Sequence, residues 1–168
     1  MRSKQKIRKV LAVASAGGHW VQLLRMRPAW NDCSIAYLTT AEGYKAEVIA
    51  DAKQRHQETP RYYAVKDANL DRKFMLLFQL FQIFIILVKE RPNIVISTGA
   101  APGFFALKLA KIMGAKTIWV DSIANAETLS LSGEKIAGSA DIWLTQWEHI
   151  AKSYENGKRS PGYKGSVI

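Results

Sequence analysis

The feature that most constrains this chain is its alternation between two periods. Short runs rich in β-branched residues take turns with longer runs of helical character, and that pattern predicts an α/β fold on a parallel sheet. Ile7 to Ala14 (IRKVLAVA) reads as the first strand, apolar nearly throughout, as expected of a strand covered on both faces. Ser34–Leu38, Tyr62–Val65, Asn93–Ser97, Lys116–Asp121 and Asp141–Thr145 read as further strands, and a last edge strand falls within Gly162–Ile168. Helices are expected over Trp20–Met26, Tyr44–Gln54, Phe104–Met113 (with Gly114 as its C-cap) and Glu134–Ala137. Right-handed crossovers join such units into one open, doubly wound, Rossmann-like sheet over residues 1–168. Ligands of that architecture bind beyond the carboxyl ends of the strands. The loops after the first, fourth and fifth strands should therefore converge on one crevice.

Those three loops have the least ordinary composition. Ser15-Ala16-Gly17-Gly18-His19 joins the first strand to its helix. Two glycines there allow a tight turn and close backbone approach, and the helix start that follows suits phosphate or pyrophosphate. The spacing is neither G-x-G-x-x-G nor a P-loop, so a plain strand-to-helix turn fits too. His19 can serve as general base, donate to phosphate, or be a structural polar group. Thr98-Gly99-Ala100-Ala101-Pro102-Gly103 is the second loop, with Pro102 suited to a first helical turn. Asp121 ends the fifth strand, followed by Ser122. It can accept from a hydroxylated ligand, position a base, or cap the next turn.

Phe74 to Val88 (FMLLFQLFQIFIILV) is interrupted only by Gln79 and Gln82. As a helix it runs about 22 Å, short of a bilayer core of about 30 Å. It reads as a core helix with more apolar surface than one sheet covers. Phe74, Leu77, Phe78, Phe81, Phe84 and Ile85 are candidates for membrane or partner contact, and Arg72, Lys73, Lys89 and Arg91 flank them. The formal net charge of +10 points to a polyanionic partner. The basic residues, including the run Arg2, Lys4, Lys6, Arg8, Lys9, show no aromatic interleaving or nucleic-acid module, which sets nucleic acid aside. Cys33 is the single cysteine and lies beside Asn31, Asp32 and Ser34. A structural thiol in a reducing compartment fits it, as does the lack of a secretory signal. His19, His56 and His149 are scattered, so no metal set is expected and no cofactor is called for.

Taken together the loops resemble a family. VASAGGHWVQLLRM, ISTGAAPG and WVDSIANAETLSLSGEKIAGSADIWLTQWEHI are similar to segments of the acceptor-side, membrane-associating subunits of bipartite UDP-sugar glycosyltransferases. The likeness spans about residues 7 to 152. It implies a fold equivalent to the N-terminal half of a GT-B glycosyltransferase, and a separate UDP-sugar-binding subunit as partner, since no second Rossmann-like repeat follows. It implies a polyprenyl-diphosphate-linked saccharide as acceptor, as in capsule and exopolysaccharide synthesis, at the cytoplasmic face of a bacterial plasma membrane. His19 and Asp121 would be the catalytic groups. Ser15, Gly17, Gly18, Thr98, Gly99 and Ser122 would meet the acceptor and its phosphates. Asp121 stands where the family usually has Glu. Two other functions remain open: a non-catalytic membrane scaffold that recruits the active subunit, and a stand-alone nucleotide- or phosphosugar-binding enzyme.

Overall fold

A computed structural model describes residues 7–68, 73–155, 157 and 159–166. Arg2, Lys4, Lys6, Arg72, Lys158, the Lys73 side chain and the last two residues lie outside the described set. The strands are β1 (Lys9–Val13), β2 (Ser34–Thr39), β3 (Arg61–Ala64), β4 (Ile94–Ser97), β5 (Lys116–Val120), β6 (Ile142–Thr145) and β7 (Gly162–Tyr163). They form one parallel sheet in the order β3-β2-β1-β4-β5-β6-β7. The order reverses between β1 and β4, which makes their carboxyl ends the switch point of the sheet. The expected sheet is thus present. β1 is shorter than the apolar run Ile7–Ala14 at both ends, because its pairing partners in β2 and β4 begin opposite Lys9 and Val10.

Among the described residues six helices connect the strands: α1 (Gly18–Arg25), α2 (Lys45–Gln54), α3 (Lys73–Glu90), α4 (Ala100–Ile112), α5 (Leu131–Ile136) and α6 (Glu148–Ser153). A 3-10 turn at Arg27–Trp30, with Pro28 near its start, follows α1. Trp20, Leu23, Leu24, Trp30 and Val48 pack on Val10, Ala12, Tyr37 and Ile96, forming one core layer. The other layer holds Ile83 and Leu87 of α3, Ala106 and Leu107 of α4, Ile136 and Ile150, against Leu11, Leu38, Val95 and Trp119. Alternate residues of β1 therefore enter opposite layers, as the two-residue period of a strand requires.

α4 ends as its sequence leads one to expect. Gly114 takes φ +83°, its N–H donates to the Lys111 carbonyl, and the Ala115 N–H donates to Ala110, which is a Schellman closure. Its start differs from expectation: the helix opens at Ala100, not Phe104, placing Pro102 in the first turn. α5 also starts earlier than expected, since the Ser130 hydroxyl accepts from the Gly133 N–H at 2.8 Å and caps it.

α3 is inverted relative to an ordinary surface helix. Its inward face carries Gln79, Ile83, Ile86, Leu87 and Glu90, with Gln79 fully buried. Its outward face carries Phe74, Leu77, Phe78, Phe81, Phe84, Ile85 and Val88, all exposed. The two glutamines have a local reason to face inward. Gln79 Nε2 donates to the Lys66 carbonyl at 2.7 Å, and Gln82 Oε1 accepts from the Lys66 N–H at 3.0 Å. They satisfy the backbone of the strap that leaves β3, where no strand continues to do so. Glu90, also buried, takes two bonds from Arg61 Nε and one from the Tyr63 hydroxyl. Burial, followed by that carboxylate, pushes the Tyr63 phenol up to about 12.

Candidate active site

The sheet's switch point brings the first two glycine loops together. Gly17 has φ +84° and caps α1 without a side-chain bond. Gly99 has φ +140° and stands in the same place on α4. The residue after it, Ala100, also has a positive φ, +63°, a conformation unfavourable for a residue with a Cβ. Strained backbone of this kind gathers at ligand sites.

His19 links the two loops. Its Nδ1–H donates to the Thr98 carbonyl at 2.9 Å, and the Thr98 hydroxyl donates to the His19 carbonyl at 2.7 Å. The assignment of donor follows from chemistry: a carbonyl offers no proton, so Nδ1 must carry one. In the neutral ring Nε2 is then the basic nitrogen. The ring lies where a side chain at 99 would be. A Cβ built on Gly99 would sit 2.4 Å from Cε1 and 2.6 Å from Nδ1 of His19. Gly99 is thus required twice, for its φ and for the space its missing side chain gives the imidazole.

The loop Ser15–Gly18 is held from the side. The Ala16 N–H donates to the Thr40 hydroxyl at 3.0 Å, and the Gly17 N–H donates to the Tyr44 hydroxyl at 3.2 Å. Tyr44 in turn stacks on Trp20, with ring centroids 4.9 Å apart. Two loop amides are therefore already engaged. The amides at the start of α1, from Gly18 onward, have no capping side chain and face the crevice edge.

Asp121 and Ser122 lie behind this wall. The Asp121 carboxylate is 1% exposed and turned into its own loop. Oδ1 accepts from Trp119 Nε1 at 3.1 Å and from the Ser130 hydroxyl at 2.6 Å. Oδ2 accepts from the Ser130 N–H at 2.9 Å and Asn125 Nδ2 at 3.2 Å. Gly133 fits because a Cβ there would stand 2.7 Å from Oδ1. Ser122 is buried and its hydroxyl accepts from the Ala124 N–H. The structure thus brings Ser15, Gly17, Gly18 and His19 to one edge. Thr98 and Gly99, expected there too, are buried instead: the Thr98 hydroxyl and carbonyl are both spent on His19, and its ring fills the space at Gly99. Asp121 and Ser122 organise the adjoining loop.

Two residues outside the sequence-based set join these parts. Gln22, buried one turn after His19, donates to the Asp121 carbonyl at 3.2 Å and accepts from the Ile123 N–H at 3.1 Å. Gln146 donates to the same carbonyl at 2.9 Å. The i, i+3 spacing of His19 and Gln22 was the available signal, since it puts both on one side of α1. Thr40 and Tyr44 carried none, because their contacts depend on β2 lying beside β1. Among the described residues no group of three or more His, Cys, Asp or Glu side chains could hold a metal ion.

Against solved structures, this architecture is that of the N-terminal half of a GT-B glycosyltransferase. It matches MurG of Acinetobacter baumannii with a TM-score of 0.69 and 13% identity, over 95% of this chain and 46% of that one. The MnaA–UDP structure of S. aureus matches with a TM-score of 0.68 and 13% identity, over 96% and 46%. The chain spans about half the length of these proteins. Its sequence goes further than the fold: the model described as "Oligosaccharide biosynthesis protein Alg14 like" matches residues 10–163, and the chain belongs to that family. Relatives include the UDP-N-acetylglucosamine transferase subunit ALG14 of Mus musculus, 25% identical over 87% of this chain and 78% of the relative. The subunit of the same name from Yarrowia lipolytica is 30% identical over 91% and 80%.

Proposed function

We propose that this chain is the acceptor-binding subunit of a two-component glycosyltransferase. It works with a separate UDP-sugar-binding subunit and transfers a sugar to a polyprenyl-diphosphate-linked saccharide, in polysaccharide assembly. The observation that carries the reading is the His19–Thr98–Gly99 lock at the switch point. A basic nitrogen is fixed beside an uncapped helix start, in the half of the fold that in a whole GT-B enzyme faces the other half. The relatives' name, UDP-N-acetylglucosamine transferase subunit, supports transferase and subunit alike.

In this mechanism the acceptor hydroxyl attacks the anomeric carbon of the donor sugar. Its proton passes to Nε2 of His19, the new glycosidic bond forms, and the bond to the nucleotide diphosphate breaks with inversion. The first-turn amides of α1 from Gly18 onward hold the acceptor diphosphate, helped by the positive end of the helix. Ser15 borders that place, while Thr98, fully buried, acts by holding His19. Asp121 acts at one remove: it fixes the loop after β5, and through Gln22 that loop bears on α1. Ser122 shares this supporting role.

The chain approaches its lipid-linked substrate through α3. No described helix is long and apolar enough to cross a membrane. The face from Phe74 to Phe84 lines a groove of about 560 Å³ with Leu109 of α4. Lys89, in the last turn of α3, and Arg91, just after it, are exposed. Such a face rests in the interfacial layer of an anionic bilayer, at the cytoplasmic side where the nucleotide sugar is.

The test is coexpression with the donor-binding subunit and assay of transfer to membrane acceptors. Transfer is expected to need both chains and to fall about 10²- to 10⁴-fold in His19→Ala. If the donor subunit is fully active alone, the chain is a scaffold. If His19→Ala and Asp121→Ala both leave transfer unchanged, the site is elsewhere.

A further inference from the structure

Beside the glycine loop, across Thr40, lies a cleft that the mechanism does not use. Two adjoining cavities, about 310 and 270 Å³, lie beyond the carboxyl ends of β2 and β3 and share Glu42 and Ala64. The same β2 loop supplies Thr40 and Tyr44, which grip the Ala16 and Gly17 amides. The cleft therefore adjoins the diphosphate end of the crevice, one strand along from His19.

Its walls are held in place from behind. Gln79 and Gln82 of α3 clamp both backbone groups of Lys66. The Tyr62 hydroxyl donates to the Ala41 carbonyl, tying β3 to the β2 loop. The charged side chains that line the cleft are, by contrast, uncommitted. Glu42, Lys45, Lys66 and Asp67 are exposed, and among the described residues none of these side chains has a hydrogen-bond or ion-pair partner. Two carboxylates and two ammonium groups sum to zero, so an anion entering here would meet as much repulsion as attraction. Polyhydroxylated ligands suit such a lining: carboxylates accept from hydroxyls, ammonium groups donate to them, and the Tyr62 ring gives a half-buried apolar wall.

We propose that this cleft is a saccharide subsite, binding an uncharged sugar residue of the lipid-linked acceptor while its diphosphate sits at the start of α1. The proposal rests on the acceptor-side reading above. The subsite places sugar hydroxyls on Glu42 and Asp67, and so selects which acceptor saccharide the enzyme extends.

Amide-resolved NMR titration of the full chain separates the two ideas. One arm uses the methyl glycosides of glucose, galactose, mannose and N-acetylglucosamine, and the other uses inorganic pyrophosphate. At least one glycoside is expected to shift the amides of residues 40–45 and 64–67 saturably. Glu42→Gln with Asp67→Asn is expected to weaken it about ten-fold. Those side chains are exposed and unpartnered, so that variant keeps its fold and its unperturbed spectrum elsewhere. Pyrophosphate is expected to shift Gly18 to Trp20 instead, in both proteins. If no glycoside moves the cleft amides, or the double variant binds equally well, the subsite is wrong. If pyrophosphate shifts residues 40–45 and 64–67, the cleft is an anion site and the proposal also fails. If glycosides bind as expected but pyrophosphate leaves Gly18 to Trp20 unmoved, the subsite stands and the diphosphate reading falls.

Discussion

At the scale of single residues, the site turns on a carbonyl and a missing side chain. Thr98 O sets the tautomer of His19, and Gly99 leaves room for its ring. Gly99→Ala should therefore displace the imidazole by about an ångström and cut transfer about 10²-fold. It should also cost about 1–3 kcal/mol through the disfavoured φ. In a His19→Ala background the same change should cost little further activity, a non-additivity that kinetics of the double variant would display. Asp121 behaves differently. Asp121→Ala leaves Trp119 Nε1 and the Ser130 N–H without acceptors in a buried place, so it should lose about 3 kcal/mol in denaturant unfolding, with activity falling alongside. His19→Ala should lower kcat with little loss of stability. The glycines and His19 were legible because a strand-to-helix turn with Gly-Gly-His has a distinctive composition. The inward turn of Asp121 was not, since it depends on Ser130, nine residues on, folding back over it.

At the scale of elements, α3 is the least ordinary part. Its periodicity in sequence marks one narrow polar stripe but not which way the stripe faces. The usual rule turns polar groups outward. Here the strap at Lys66 needs partners, so Gln79 and Gln82 turn in and the phenylalanines turn out. The outward apolar face was legible in α3 as surplus apolar surface, and the six residues named for it are all exposed; the inward turn of the glutamines was not, because its cause lies in a neighbouring segment. The outward face has a measurable consequence. Phe78→Asp with Phe81→Asp should reduce sedimentation of the chain with anionic vesicles by ten-fold or more, as each half-exposed ring contributes about 1 kcal/mol to interfacial transfer. The midpoint of thermal unfolding should stay level or rise, because exposed apolar area is removed and no core contact is lost. A fall of many degrees would mean that these rings pack within the protein.

At the scale of the molecule, the order β3-β2-β1-β4-β5-β6-β7 follows from right-handed crossovers between elements that the sequence displays. Short pieces escaped: α6 is six residues, and its pattern is too brief to show a period. The sheet is also closed at its base by charge. Asp141 accepts from Lys111 Nζ and from the Thr117 N–H and hydroxyl. The Lys111 hydrogen bond, then the Thr117 bonds against some burial, lowers its carboxyl to about 2. A carboxyl lowered in the folded state stabilises above its unfolded value of about 4 and loses that contribution as pH falls toward 2. Asp141→Asn should therefore cost stability at neutral pH and flatten its decline between about pH 4 and pH 2, as urea unfolding across that range would show.

The same scale decides whether this half of the fold holds the acceptor and leaves the donor to a partner. Equilibrium binding to the isolated chain tests it directly, with a short-chain prenyl-diphosphate-linked sugar and a UDP-sugar as the two ligands. The expected result is saturable binding of the prenyl diphosphate, weakened by Gly99→Ala, and no binding of the UDP-sugar at comparable concentration. Tight binding of the UDP-sugar with none of the prenyl diphosphate would contradict it and make the chain a nucleotide-sugar enzyme in its own right.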